Sequence, residues 1–154
     1  MKPMPEVLLV DDNVADVLLA SEALTVNSDS CHVSSVGDGA EAIAFLRHEG
    51  RYAEAASPDL VILDLNLPKK SGEAVLAELR SDPRLRNIPV VIFSSSRANK
   101  DIVRNYELGA NCYLSKPGNL SEFASTVQLI GSFFGCCEAV SKGERWTDQK
   151  PTYC

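Results

Sequence analysis

The sequence has no run of basic residues longer than the pair Lys69-Lys70, and its formal charge is −6. Proteins that grip nucleic acid usually carry a clustered basic face, so this composition argues against DNA or RNA as a partner. No apolar run approaches the roughly 18–20 residues needed to cross a bilayer. The opening "MKPMPEVLLV" has a single lysine and an apolar stretch too short for a secretory leader. These absences lead to the expectation of a cytoplasmic protein that engages neither nucleic acid nor membrane. The cysteines, Cys31, Cys112, Cys136, Cys137 and Cys154, include no C-x-x-C and no histidine at metal-ligand spacing, so they read as free thiols rather than a metal site. There is no G-x-G-x-x-G. The nearest glycine cluster, Gly37-Asp38-Gly39, follows the second expected strand, which argues against a dinucleotide or flavin binder.

What is present is an alternation. The chain has 154 residues, 45% hydrophobic and 23% charged, which suits one globular domain with an ordinary core. Residues 6–10, "EVLLV", read as a buried strand. A helical period follows from Val14 to about Val26, with Val14, Val17, Leu18 and Leu24 as its apolar positions. Residues 31–36 read as a second strand. Asp38 is a candidate N-cap for a helix that Gly50 would end. Residues 59–64 make a third strand and about 72–81 a third helix. "IPVVIFS", 88–94, is a fourth strand whose Val/Ile content suits burial on both faces. A short helix closed by Gly109, a fifth strand at 111–115 and a last helix from Asn119 or Leu120 to about Phe134 complete the pattern. Strands separated by crossover helices form a parallel sheet with helices on both sides. The expected organisation is a doubly wound α/β domain over residues 1–137, followed by a weakly structured tail over 138–154.

The polar residues gather where such a sheet binds ligands, at the carboxyl ends of its strands. The first strand ends in Asp11-Asp12, the third in Asp64, the fourth in Ser94 and the fifth in Lys116. Ending the most apolar strand, "LVILD", on a carboxylate is costly unless the charge is compensated. Two like charges about 4 Å apart repel by roughly 4 kcal/mol at an effective dielectric near 20. Carboxylates so placed stay ionised only with a cation between them. A small divalent ion with oxygen ligands, Mg²⁺ above all, fits. A carboxylate, Mg²⁺, a lysine and a hydroxyl are a set for phosphoryl transfer, with Asp64 placed as the nucleophile that forms an acyl phosphate.

The segments "LLVDDN", "VILDLNLPKKSG", "VVIFSSS" and "YLSKP" together resemble the signatures of bacterial two-component response-regulator receiver domains, over roughly residues 6 to 135. The resemblance implies a flavodoxin-like five-stranded sheet in the order 2-1-3-4-5 with five helices. It implies Asp64 as phosphoacceptor, Asp11 and Asp12 as the acidic metal pair, and the Asn66 backbone carbonyl as a further metal ligand. It also implies Ser94 as the switch hydroxyl, Lys116 as the family's lysine, Pro117 as its cis-proline and Tyr113 as its aromatic switch. Such a protein is no turnover enzyme, although it takes part in its own phosphorylation and slow dephosphorylation. The stretches "DLNLPKKSGEAVLAELRSDPRLRNIPVVIFSSS" and "YELGANCYLSKPGNLSEF" are similar to the small single-domain regulators that serve phytochrome-type histidine kinases. Too few residues follow the last helix for a DNA-binding output domain, so output is expected by conformational switch or relay. The alternative is a receiver-like interaction module that never takes phosphate. An aspartyl-nucleophile hydrolase fits less well, because its general-acid position is occupied by Asn66, which has no proton to give.

The last helix carries two apolar sets. Leu120, Phe123, Val127, Ile130 and Phe134 form a stripe expected to face the sheet, while Leu129 and Phe133, continued by Cys136 and Cys137, lie off it. A surface helix needs one stripe, and the second points to a homodimer through this helix.

Overall fold

The structure, a computed structural model, describes residues 4–25 and 31–134. The five strands are β1 (Glu6–Val10), β2 (His32–Val36), β3 (Leu60–Leu63), β4 (Val90–Ser94) and β5 (Cys112–Ser115). The helices are α1 (Val14–Leu24), α2 (Gly39–Leu46), α3 (Gly72–Ser81), α4 (Asn99–Glu107) and α5 (Leu120–Phe133). All strand pairs are parallel and the order is β2-β1-β3-β4-β5. This is the expected flavodoxin-like arrangement. No described helix is long and apolar enough to cross a membrane.

Side chains alternate across each strand, and here both faces are apolar. Leu8, Val10, Val61, Leu63, Ile92 and Tyr113 pack with α2, α3 and α4. Val7, Leu9, Ile62, Val91 and Phe93 pack with α1 and α5. Covering on both faces explains why the central strands read as unbroken hydrophobic runs.

Helix starts follow local chemistry. The side chains of Asn13, Asp38, Ser71 and Asn119 accept hydrogen bonds from the backbone N–H groups of Asp16, Glu41, Ala74 and Glu122, capping α1, α2, α3 and α5. Helix α4 begins without a side-chain cap.

Several expectations need correcting. Helix α2 ends at Leu46, before Gly50, which instead opens a short 3-10 turn, Gly50–Tyr52. On α1, Val14 and Leu18 are 72% and 60% exposed, because the buried arc is built from Ala20, Ala23 and Leu24. At about 100° per residue, Val14 and Leu18 share a side of the helix turned away from that arc. On α5, Phe123, Val127 and Ile130 face the sheet as expected, but Leu120 is 69% exposed, since the first turn lies beyond the contact with the sheet. Cys31 is a buried thiol whose Sγ donates to the Leu24 carbonyl at 3.5 Å, whereas Cys112 is disulfide-bonded, against the expectation of a thiol there. Cys136, Cys137, Cys154 and the tail 138–154 lie outside the described residues.

Candidate functional site

Strand register brings the polar residues to one edge. Val10 pairs with both Val36 and Leu63, and Leu63 pairs with Ile92. The backbone N–H of Asp64 donates to the Val10 carbonyl at 2.9 Å, and that of Lys116 to the Ser94 carbonyl at 2.8 Å. Each residue that follows its strand is thereby held at the same sheet end as the others.

Three carboxylates converge there. Asp11, Asp12 and Asp64 each present an oxygen, and these oxygens lie within 4.8 Å of one another. Asp64 is buried, Asp11 half-buried and Asp12 exposed. The Asp11 carboxylate also accepts from the Asn13 backbone N–H at 2.9 Å, and Asp64 from the Asn66 N–H at 3.4 Å. An all-oxygen set of this kind matches the chemistry of a hard divalent cation.

Lys116 closes the cluster from β5. Its Nζ donates to Asp11 Oδ2 at 2.7 Å, Asp16 Oδ2 at 2.9 Å and Asp64 Oδ2 at 3.2 Å, which engages all three ammonium protons. Burial by itself disfavours the charged ammonium. The hydrogen bonds to Asp11 and Asp16, with the charges of Asp11 and Asp64, outweigh that and hold Lys116 above the usual lysine value. Burial pushes the Asp11 carboxyl above its ordinary value, against the pull of Lys116 and the Asn13 N–H. The lysine thus stays charged while the acids around it are squeezed together.

Asp16 was not anticipated. It lies one turn after Asp12 in the first turn of α1, where an acid reads as favourable to the helix dipole. The clue was its position on a helix whose N-terminus opens at the acid pair.

Ser94 is fully buried at the end of β4, and its Oγ accepts from the Ser96 N–H at 3.4 Å. Tyr113 is also fully buried. Its hydroxyl donates to the Ser96 carbonyl at 2.9 Å, and its N–H donates to the Tyr106 hydroxyl at 3.2 Å. Tyr113 is therefore in an inward position rather than the half-exposed setting ordinary for tyrosine. Ser96 Oγ in turn donates to Asp101 Oδ2 at 2.5 Å, tying the loop after β4 to the first turn of α4.

One expectation at the site is overturned. The peptide bond before Pro117 is trans, as are all peptide bonds among the described residues. The trans form is the lower-energy isomer of an X–Pro bond by about 0.5–1 kcal/mol, and with it Lys116 already reaches its three carboxylates.

Comparison with known proteins agrees with this geometry. The response regulator receiver domain family matches residues 7–128. Response regulator Rcp1 of Synechocystis sp. is 42% identical over 132 residues, covering 86% of this chain and 90% of that protein. Among solved structures, the phosphorylated cyanobacterial phytochrome response regulator RcpA is 48% identical with a TM-score of 0.83, covering 86% of this chain and 94% of its own. The Mn²⁺-bound form of Rcp1 is 42% identical with a TM-score of 0.81, covering 89% of this chain and 97% of its own. The match of family, fold and strand-end residues has one reading: this chain belongs to the response regulator receiver domain family.

Proposed function

We propose that Asp64 accepts a phosphoryl group from the phosphohistidine of a sensor histidine kinase of the phytochrome type. The observation that carries this is the contact of Lys116 with Asp64 at 3.2 Å inside a cluster that also holds Asp11 and Asp12. The kinase class is drawn from the relatives, since RcpA is by its description a phytochrome response regulator.

In the transfer, the P–N bond of the donor breaks as a P–O bond to the Asp64 carboxylate forms, and the imidazole leaves with the electron pair. Asp11, Asp12 and Asp64, with the Asn66 backbone carbonyl, would hold a divalent ion, and Mg²⁺ is the ion we assign. When bound, it supplies positive charge beside the phosphoryl oxygens. The acid set fits such an ion, and Rcp1 has been solved with Mn²⁺. Lys116 is positioned to turn one N–H from its present acceptors to a phosphoryl oxygen. Ser94 supplies a hydroxyl donor at the end of β4, and the inward Tyr113 fills the space beside it. Because Tyr113 and Asp101 both bond Ser96, movement of Ser94 alters the face made by α4, β5 and α5, a two-state element biased by one group.

Phosphotransfer from a labelled kinase tests the assignment. Replacing Asp64 with Asn should abolish acid-labile, Mg²⁺-dependent label, and full labelling of that variant would refute it.

We also assign a homodimer through α5. Phe133 is 41% exposed and packs edge-on against Phe134 with ring centroids 4.9 Å apart, and Leu129 is half-buried. Leu129 and Phe133 lie off the face by which Phe123, Val127 and Ile130 meet the sheet. Light scattering at micromolar protein should give twice the chain mass, and a concentration-independent monomer is incompatible with it.

A further inference from the structure

The loop from Asp64 to Ser71 joins β3 to α3 and carries both the Asp64 carboxylate and the Asn66 carbonyl. Two glycines from the flanking helices press against it. A Cβ at Gly39, the first residue of α2, would stand 2.0 Å from the Lys70 carbonyl oxygen and 2.7 Å from Lys70 Cβ. A Cβ at Gly72, the first residue of α3, would stand 2.2 Å from the Asp64 carbonyl oxygen and 2.7 Å from Leu65 Cα. Side-chain carbons do not approach backbone that closely, so only glycine fits at either place. Both glycines also hold the loop by hydrogen bonds, Gly39 N–H to the Pro68 carbonyl at 3.4 Å and Gly72 N–H to the Leu65 carbonyl at 2.9 Å.

Charges fasten the same loop. Lys69 reaches Asp38 at 3.7 Å, and Lys70 pairs with Glu78 of α3. Lys69 holds φ at +66°, a left-handed conformation that costs a non-glycine residue about 1 kcal/mol or more. A strained residue persists only where its surroundings over-determine it.

We propose that Gly39 and Gly72 are positioning residues of the metal centre: their missing side chains seat the 64–71 loop so that the Asn66 carbonyl and Asp64 carboxylate face one ion. This rests on the reading that those groups hold a divalent cation. Gly72 bears on the backbone of Asp64 itself, so altering it disturbs the phosphoacceptor directly. Gly39 touches only the far end of the loop and is the cleaner probe. A Cβ at residue 39 must drive the Lys70 carbonyl from 2.0 Å to at least 3.0 Å away, a shift of 1.0 Å. The segment is closed on itself by Lys70 N–H to the Pro68 carbonyl at 2.7 Å and by the Gly72–Leu65 bond. The displacement is therefore passed along to Asn66 rather than absorbed.

Ions differ in their tolerance of such a shift. Mg²⁺ demands near-ideal octahedral geometry at about 2.0–2.1 Å, whereas Ca²⁺ accepts variable shells at about 2.3–2.6 Å. Gly39→Ala should thus weaken Mg²⁺ much more than Ca²⁺, a signature that a general loss of stability does not produce.

Calorimetric titration of the full chain with each ion, alongside urea unfolding, tests this. Gly37→Ala is the control, because a Cβ there meets nothing within 4 Å. The expected result for Gly39→Ala is a Mg²⁺ dissociation constant raised by about tenfold or more, with Ca²⁺ within about threefold and Gly37→Ala unchanged for both. Should Gly39→Ala fail to fold, Lys70→Met decides the matter: it frees the loop from Glu78 with no new bulk, and selective loss of Mg²⁺ is again expected. Equal losses for the two ions, or unchanged Mg²⁺ affinity, overturn the proposal. Failure of the unmutated chain to take up either ion would instead overturn the metal-centre reading beneath it.

Discussion

Lys116 Nζ donates to Asp16 Oδ2 at 2.9 Å, joining β5 to the first turn of α1 across 100 residues of sequence. The bond gives the lysine a carboxylate partner outside the acid set that could hold the metal. Asp16→Asn keeps the side-chain shape and a hydrogen-bond acceptor but removes one negative charge. The Lys116 charge is then less compensated and opposes a second cation nearby. We expect divalent-ion affinity to fall several-fold, on the order of 1 kcal/mol, while transfer to Asp64 persists at saturating ion. Ion titration by calorimetry checks it, and an unchanged affinity would mean that solvent already screens Asp16.

Lys116→Met should act on the ion with the opposite sign. Without the ammonium, Asp11, Asp16 and Asp64 keep their mutual repulsion, and an added divalent ion relieves more of it. Ion affinity should rise, while phosphotransfer falls by about 10²–10³, the usual cost of losing one donor to a developing charge. The raised Lys116 value adds a pH expectation. A lysine whose folded-state value is raised stabilises the fold fully below its unfolded value near 10.5, and that contribution is lost as pH rises through the higher folded value. The alkaline limb of a stability–pH profile should therefore be shallower in Lys116→Met.

How much of this was legible in sequence depends on distance along the chain. "LVILD" announced itself because a strand covered on both faces is apolar throughout, so a carboxylate directly after it stands out. The strand-end set Asp11, Asp12, Asp64, Ser94 and Lys116 followed from alternation alone. Asp16 did not, because an acid in a first helical turn is ordinary and its meaning comes only from a lysine 100 residues later. Leu120 looked like part of the buried stripe because periodicity gives a helix face but not where the helix first meets the sheet. The seats under the 64–71 loop were also invisible, since a glycine that opens a helix looks the same whether its missing Cβ faces solvent or another backbone.

Tyr113→Phe should separate packing from hydrogen bonding in the switch region. The ring stays in the core, but the Ser96 carbonyl loses the hydroxyl that meets it at 2.9 Å. The expected destabilisation is about 1 kcal/mol, against about 3–5 kcal/mol for Tyr113→Ala, which also leaves a cavity. Urea unfolding measures both. The Tyr113 hydroxyl makes no bond to Asp64, so the initial rate of phosphotransfer to Tyr113→Phe should stay within about twofold of the parent chain, well short of the cost of losing a donor to the reacting group.

Arg80 offers the sharpest test of what fixes the far end of α4. Its guanidinium donates to four neutral acceptors, the Gly109 carbonyl at 2.8 Å, the Arg86 carbonyl at 2.9 Å, the Ile88 carbonyl at 2.8 Å and Asn111 Oδ1 at 2.8 Å. None is a carboxylate, and burial lowers the Arg80 pKa. Asn111 Oδ1 also accepts from the Val90 N–H at 2.9 Å, so the cluster joins α3 to the starts of both β4 and β5. Lysine cannot replace it, because a point ammonium does not present the planar fork that meets acceptors in several directions. Arg80→Met strands carbonyls at the junction, and we expect about 2–4 kcal/mol of destabilisation. Arg80→Lys should recover less than half of that. Urea midpoints with unchanged slopes would measure it, and a lysine variant as stable as the parent would show that charge, not the fork, holds the junction.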